Sequence, residues 1–286
     1  MAAMPEGDTV AWTAAKLHRA FAGQVLTRSD LRWPSLATVD LTSASTIEVT
    51  ALGKHLLHRL DSGLTLHSHL RMDGTWRVRP PHEPISRHHL IRAVLGTARA
   101  TAVGRSLGML DLVPTSQEHT LVGHLGPDIL DRAWGTGPVV DRIAADSRPL
   151  AQTLLDQRVL AGLGTFWVSE ALYAEQLHPW RPGSALVPDH LGQVLDWARR
   201  RMRVSARTGI QTATGHNQGG ALGAVHARSG RPCRRCAQGV RVALVGAAPQ
   251  ERTIFYCPSC QGGLAPGDDG RPQAPLGARR RRSPGH

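Results

Sequence analysis

Every cysteine of this 286-residue chain falls in one short stretch, as Cys233-Arg-Arg-Cys236 and Cys257-Pro-Ser-Cys260 with twenty residues between the pairs. Two C-x2-C pairs at this separation match the knuckles of a zinc ribbon. Each tight turn offers two thiolates, and the two turns close a tetrahedron around one Zn2+. Two disulfides would need an oxidising compartment. The start, MAAMPEGDTV, carries acids where a secretory signal needs a basic segment and then an apolar run. A structural zinc in a reducing cytoplasm is therefore expected. Four thiolates leave no open coordination position, so the metal holds a fold and does no chemistry. Between the pairs, GVRVALV and APQERTIFYC read as a β-hairpin with Arg252 near its tip. An arginine on a rigid basic hairpin suits a phosphate.

A ribbon of this size leaves most of the chain to be placed. Its length implies two domains or one large one, enough to bury a core without staples. Hydrophobic residues make up 41% of it, but no window approaches 18 consecutive apolar residues. A membrane-spanning helix is excluded on that count. Residues 5–23 read as a helix, with Val10, Ala14, Leu17 and Phe21 at spacings of three and four and Gly23 at the C-terminal cap. From 25 to 114 the pattern turns to short alternating runs, IEVTAL, LTLHSHL and TWRVRP among them, bounded by Gly, Pro, Asp and Ser. That spacing predicts an antiparallel β-sandwich or barrel of about eight strands. Residues 115–150, with Pro127, Pro138 and Pro149, read as a connector. Residues 151–230 form a helical domain, its first two helices broken at Gly162 and Gly164 and a third at about 189–203. The ribbon spans 231–262, and 263–286, rich in Pro, Gly, Arg and Asp, reads as a disordered basic tail.

Charge narrows the partners. Lys plus Arg number 34 against 22 Asp plus Glu, a net +12, and setting aside Arg279 to Arg282 still leaves +8. Such a body is built to meet polyanions, nucleic acid first among them. Only two of those cations are lysines, Lys16 and Lys54. A primary amine can lose its proton when desolvated, which a guanidinium cannot, so Lys54 invites a functional reading.

At this point ordered pieces of the chain line up with a family. MPEGDTV, GKHLL around Lys54, SHLRMDGTWR, HLGPDIL, LLDQRVLAGLGTFWVSEALY and RTIFYCPSCQ together resemble the formamidopyrimidine-DNA glycosylase and endonuclease VIII family of base-excision repair, from Pro5 to about Gln261. The resemblance implies an α+β multidomain fold: an N-terminal helix plus antiparallel β-sandwich as catalytic domain (5–114), a helix-two-turns-helix domain (151–230) and a zinc finger closing on damaged duplex DNA. It also implies a bifunctional glycosylase and abasic-site lyase. Pro5, at a free N-terminus, would attack C1′, expel the base and form a cationic iminium that draws out the 3′-phosphate by β-elimination, with δ-elimination following. Glu6 would act as general acid and base in opening the sugar. Lys54 would reach lesion phosphates or sugar, its charge favouring the unprotonated Pro5 amine. As written, Pro5 is an amide behind Met1-Ala2-Ala3-Met4, and translation from Met4 would expose it.

Further positions follow residue by residue. Met72 matches the loop that fills the gap left by an everted base. Gly162 and Gly164 would let backbone N–H groups approach a phosphate at a helix start. Thr165 stands where the family usually has Asn, and Arg252 matches the zinc-finger arginine that grips phosphate. GRSLGMLDL offers no counterpart to the second void-filling pair of the oxoguanine-directed branch. With the Gly-Asp-Thr start, this places the chain on the bacterial endonuclease VIII side, acting on oxidised pyrimidines. A nucleoid-associated monomer is expected.

Three other readings are weaker. Gly104-Arg-Ser106-Leu-Gly108 satisfies G-x-S-x-G, but the MLDLVP that follows gives no helix to support a nucleophile at Ser106. His67-Ser-His69 puts two imidazoles on one strand face with no carboxylate at helpful sequence spacing. A noncatalytic damaged-DNA-binding zinc protein with a blocked terminus is the alternative that strand cleavage would separate.

Overall fold

A computed structural model of the chain describes residues 5–81, 83–216 and 222–275. Two units emerge. The first comprises the chain up to Trp134 with Leu160–Gly162 and Met202–Gln211; the second comprises Gly135–Val159, Leu163–Arg201 and the residues from Thr212 on.

The first unit opens with helix α1 (Gly7–Phe21). Val10, Ala14, Leu17 and Phe21 recur at helical spacing and are buried together, and Gly23 at φ 72° turns the chain away. Eight strands follow, as the alternating runs predict: β1 (Arg28–Leu31), β2 (Thr46–Leu52), β3 (His55–Leu60), β4 (Leu64–His69), β5 (Thr75–Arg79), β6 (Ile91–Gly96), β7 (Thr101–Arg105) and β8 (Met109–Pro114). They pair into two four-stranded antiparallel sheets, ordered β2-β3-β4-β8 and β1-β6-β7-β5. One core serves both sheets and α1, with Leu56, Leu66 and Leu110 from the first sheet meeting Trp76, Leu95 and Ala102 from the second. A sandwich buries alternate residues of each strand. Since Leu56, Leu66 and Leu110 face inward, His55, His67, His69 and Asp111 share the opposite face of their sheet. The loop at Ser106 carries the chain from β7 in one sheet to β8 in the other with no helix, so the G-x-S-x-G match is a connection between sheets.

The expected connector is not featureless. It holds α2 (His119–Val122) and α3 (Thr136–Ala144), and α3 buries Val139, Val140 and Ile143 within the second unit. Of the prolines that suggest a linker, Pro127 lies between α2 and α3, Pro138 lies within α3, and Pro149 directly precedes the next helix. The second unit continues with α4 (Leu150–Leu155), α5 (Thr165–Ala174) and α6 (Pro188–Thr208), whose residues from Met202 belong to the first unit. The two expected helices are thus α4 and α5, parted by the whole stretch 156–164. Helix α5 is buried on all sides from Thr165 to Tyr173, which fits an element enclosed in its unit.

The ribbon is the antiparallel pair β9 (Arg241–Val245) and β10 (Arg252–Tyr256), followed by the short helix α7 (Pro258–Gln261). Helix α5 anchors it. Ser169 Oγ accepts the N–H of Phe255 at 3.2 Å, and Tyr173, Phe255, Cys233 and Cys257 share a small core.

The tail departs from expectation. Residues 263–275 pack on the ribbon: Arg241 forms a buried ion pair with Asp268, Tyr256 Oη donates to Asp268 Oδ2 at 2.9 Å, and the Gln273 amide bonds Val242 N–H and C=O at 2.8 and 3.0 Å. Composition suggested disorder, but two side chains with specific partners order this segment. Arg279 to Arg282 lie outside the described residues. Among the described residues no helix is long and apolar enough to cross a membrane.

Candidate functional site

The start of α1 is held tightly. Gly7 N–H donates to the carbonyl of Gly162 at 2.9 Å, and a Cβ on Gly7 would stand 2.9 Å from Gly162 Cα, so two backbones meet where only glycine fits. Gly162 has φ 103°, a conformation that also favours glycine. Asp8 is fully buried and accepts hydrogen bonds from Ser205 Oγ and, at 3.3 Å, from Gln211 Nε2. Pro5 and Glu6 lie immediately before this anchor; Glu6 caps α1 in extended conformation and is 2% exposed. A buried carboxylate one residue from a proline nitrogen is the arrangement an amine nucleophile with an adjacent acid–base group needs.

Lys54 sits in the two-residue turn between β2 and β3, where Leu52 pairs with His55. Gly53, at φ 56°, makes that turn possible, and its N–H donates to Asp128 Oδ2 at 2.7 Å. Asp128 belongs to HLGPDIL, and its other oxygen accepts the Leu130 N–H at 2.8 Å. The first unit therefore contains Pro5, Glu6 and Lys54, each beside a fixed backbone. Met72 is 61% exposed at the tip of the loop from β4 to β5, which excludes a core methionine. Gly74 closes that loop by donating to the Leu70 carbonyl at 2.9 Å, and a Cβ there would stand 2.2 Å from the same oxygen.

A group that the spacing did not reveal lies on the outer face of β3, β4 and β8. His67 has a carboxylate after all: the strand register sets it opposite Asp111, and His55 opposite His69. His67 Nδ1 is 2.9 Å from Asp111 Oδ2, and His67 Nε2 is 2.8 Å from His55 Nδ1. Burial first, and then His69, His67, His124 and Arg71, push His55 down to about 3. Burial first, and then Arg71, Lys54 and His67, push His69 down to about 4. Both rings are neutral at neutral pH. His69 Nδ1 accepts the Arg71 N–H at 2.9 Å, tying β4 to the Met72 loop.

In the second unit, Gly164 is the N-cap of α5 and Thr165 its first residue. Thr165 Oγ1 is buried with no hydrogen-bond partner among the described residues and does not cap the helix. Glu170, fully enclosed on the same helix, accepts the N–H groups of Ala224, Val225 and His226 at 2.8–2.9 Å. Burial outweighs those donors and raises its carboxyl above the usual range. Arg252 opens β10 opposite Val245, beside the ribbon turn as expected. It lines a cavity of about 430 Å3 with Arg148, Gln152, Gln157 and Arg158. Arg148 is engaged by Asp146 and Asp156, whereas Arg158 and Arg252 form no ion pair among the described residues.

The four cysteine sulfurs lie within 4.8 Å of one another, with Cys233–Cys260 at 3.9 Å and Cys236–Cys257 at 3.5 Å. These separations exceed an S–S bond of about 2.05 Å and fit the edges of a tetrahedron with Zn–S near 2.3 Å, about 3.8 Å. Arg235 N–H points to Cys233 Sγ at 3.4 Å, and Tyr173 Oη lies 3.2 Å from the same sulfur. The donor set and its hydrogen bonds fit a structural Zn2+ site.

The family model of the formamidopyrimidine-DNA glycosylase N-terminal domain matches residues 4–110, and that of the formamidopyrimidine-DNA glycosylase H2TH domain matches 125–216. The chain is 45% identical over 271 residues to a Streptomyces coelicolor protein named probable endonuclease 8 2, covering 94% of this chain and 98% of that one. It is 41% identical over 259 residues to the DNA-(apurinic or apyrimidinic site) lyase Nei2 of Mycolicibacterium smegmatis, covering 90% and 99%. Its fold is shared with the Lactococcus lactis formamidopyrimidine-DNA glycosylase solved non-covalently bound to DNA containing an AP site, at a TM-score of 0.76 and 21% identity over 90% of this chain and 99% of that one.

Proposed function

The chain belongs to the formamidopyrimidine-DNA glycosylase family, and on that premise we propose that Pro5, Glu6 and Lys54 are the catalytic centre of a bifunctional DNA glycosylase and abasic-site lyase of base-excision repair. What carries the reading is the clamp at the start of α1, which fixes Pro5 and the buried Glu6 beside the Gly7–Gly162 contact. The family match beginning at residue 4 supports a chain that starts at Met4 and, once that methionine is removed, presents Pro5 as an amine.

The chemistry follows from a secondary amine. The Pro5 nitrogen lone pair forms a bond to C1′ while the glycosidic bond breaks and its electron pair leaves with the base, which takes up the N–H proton that the Pro5 nitrogen gives up. Glu6 then delivers a proton as the ring C1′–O4′ bond opens, leaving a cationic iminium. That cation withdraws electrons, a proton leaves C2′, and the 3′-phosphate departs. Loss of the 5′-phosphate follows by δ-elimination. Lys54 binds phosphate or sugar at the lesion and keeps the Pro5 amine unprotonated through charge repulsion.

Damaged duplex DNA is the partner. Met72 fills the gap left by the everted base, Gly162, Gly164 and Thr165 approach the backbone, and Arg252 grips phosphate. Cys233, Cys236, Cys257 and Cys260 hold one Zn2+, whose role is to stiffen the ribbon that presents Arg252. Oxidised pyrimidines are the favoured bases, since identity is 38–45% to relatives named endonuclease 8 or Nei2 and 29–32% to those named formamidopyrimidine-DNA glycosylase.

Borohydride trapping on duplex DNA with one abasic site tests the reading. Protein begun at Met4 should give a covalent adduct and protein begun at Met1 should not. Tight binding with no adduct from either form would overturn the lyase and leave a noncatalytic damage-binding protein.

A further inference from the structure

The chain of hydrogen bonds on the outer face of β3, β4 and β8 has a direction. A carboxylate oxygen only accepts, so His67 donates through Nδ1–H to Asp111. A neutral His67 then carries its lone pair on Nε2, which accepts Nδ1–H from His55, and the lone pair of His55 is left on Nε2. Three side chains from three strands thus select one tautomer. The His67 side chain is 1% exposed, so water does not compete for its two bonds. The His55 ring stacks on His67 at 5.0 Å and 22°, and meets His69 edge-on at 4.9 Å. His124 lies 6.2 Å from it, Arg71 acts on it from the Met72 loop, and Lys54 precedes it in the β2–β3 turn.

We propose that His55 Nε2 is the base that takes the C2′ proton in β-elimination, with His67 and Asp111 as positioning residues that fix its tautomer and receive the charge. This rests on the lyase reading above. After the Pro5 iminium forms, the C2′–H bond breaks and its electron pair becomes the C1′=C2′ bond of an enamine, neutralising the iminium nitrogen. The proton goes to His55 Nε2. The proton on His55 Nδ1 passes to His67 Nε2, so the positive charge rests on His67 beside Asp111. The enamine pair then forms C2′=C3′, restoring the iminium, as the C3′–O bond breaks and the 3′-phosphate leaves with its bonding electrons. A lone imidazole among three others and Arg71 would be a poor base; passing the charge to a ring that faces a carboxylate makes it a competent one.

The test uses the full chain begun at Met4 and duplex DNA with one abasic site, under single-turnover conditions. Trapped adduct and strand nicking are read in parallel for wild type, His55→Ala and Asp111→Asn. His55→Ala should trap adduct at near wild-type yield and nick on the order of 10²-fold slower, with free imidazole restoring much of the rate. Asp111→Asn should also trap normally, nick more slowly and shift the acidic limb of the rate profile. Nicking by His55→Ala at the wild-type rate would overturn the proposal, as would parallel loss of adduct and nicking without imidazole rescue. Failure of the wild-type protein to trap any adduct would instead sink the lyase reading on which the proposal stands.

Discussion

Asp128 Oδ2 accepts the N–H of Gly53 at 2.7 Å, so the turn that carries Lys54 is fastened by a side chain 75 residues further along the chain. The same carboxylate accepts the Leu130 N–H. Asp128→Ala would leave both amides without that acceptor, at about 1–3 kcal/mol each where they stay buried. Thermal denaturation should show a lower melting temperature. Single-turnover nicking should slow more than DNA affinity falls, because the turn that orients Lys54 is loosened. Nicking unchanged in a destabilised variant would detach this bond from catalysis.

The contact of Gly7 with Gly162 makes a sharper demand. Gly7→Ala drives a Cβ to 2.9 Å from Gly162 Cα and 3.0 Å from its carbonyl oxygen, so backbone must move. Overpacking of this kind costs about 1–3 kcal/mol, and here it also displaces Pro5 and Glu6. Gly63→Ala is the control, since among the described residues nothing lies within 4 Å of its Cβ and its φ of 74° is what resists the change. Trapped adduct should be lost for Gly7→Ala and kept for Gly63→Ala.

Acid should unfold the first unit through its buried histidines. His58 is buried in the sandwich, and that burial pushes it down to about 4. An unfolded chain binds this proton near pH 6.5, so the stability it contributes is present above about 6.5 and is lost as pH falls toward 4, by up to about 3 kcal/mol. His58→Gln can keep a bond to Thr46 Oγ1, 2.8 Å from the native ring nitrogen, while removing the titration. Melting temperatures between about pH 7 and about pH 4.5 should therefore fall less steeply in the variant. An equal slope would place the proton uptake elsewhere.

Tyr173 Oη lies 3.2 Å from Cys233 Sγ and comes from α5, outside the ribbon itself. Hydrogen bonds to metal ligands commonly change affinity by about 10–100-fold. Tyr173→Phe should release zinc to a competing chelator at lower concentration than wild type, with one zinc per chain before challenge by elemental analysis. Cys257→Ser should lose the metal outright and with it tight DNA binding.

What could be read from the sequence was what is local. The apolar spacing of Val10, Ala14, Leu17 and Phe21 announces α1, and the two C-x2-C pairs announce the metal site, because each signal sits within a few turns of chain. Pro5, Glu6 and Lys54 were legible only through resemblance; nothing in their spacing demands an amine nucleophile. His55, His67 and Asp111 escaped because they stand 12 and 44 residues apart in the bonded pairs and only the register of β3, β4 and β8 unites them. The stretch 263–275 misled because composition averages over residues, whereas Asp268 and Gln273 each find a specific partner on β9.

Arg252 and Arg158 line one cavity of the second unit and form no ion pair among the described residues, unlike Arg148, which Asp146 and Asp156 engage. The difference separates two effects of removing a cation. If Arg252 and Arg158 contact phosphates, Arg252→Ala should weaken DNA binding about equally for intact and damaged duplex and reduce the slope of log K against log salt by about 1. Arg158→Ala should act in the same way, and the two should add. Arg148→Ala should instead lower stability, since it leaves two carboxylates without their shared cation, and should leave the salt slope nearly unchanged. Anisotropy titrations over a range of salt, paired with thermal denaturation, read both quantities. A slope unaltered by Arg252→Ala would remove the ribbon from the phosphate contacts and leave the zinc site a purely structural role.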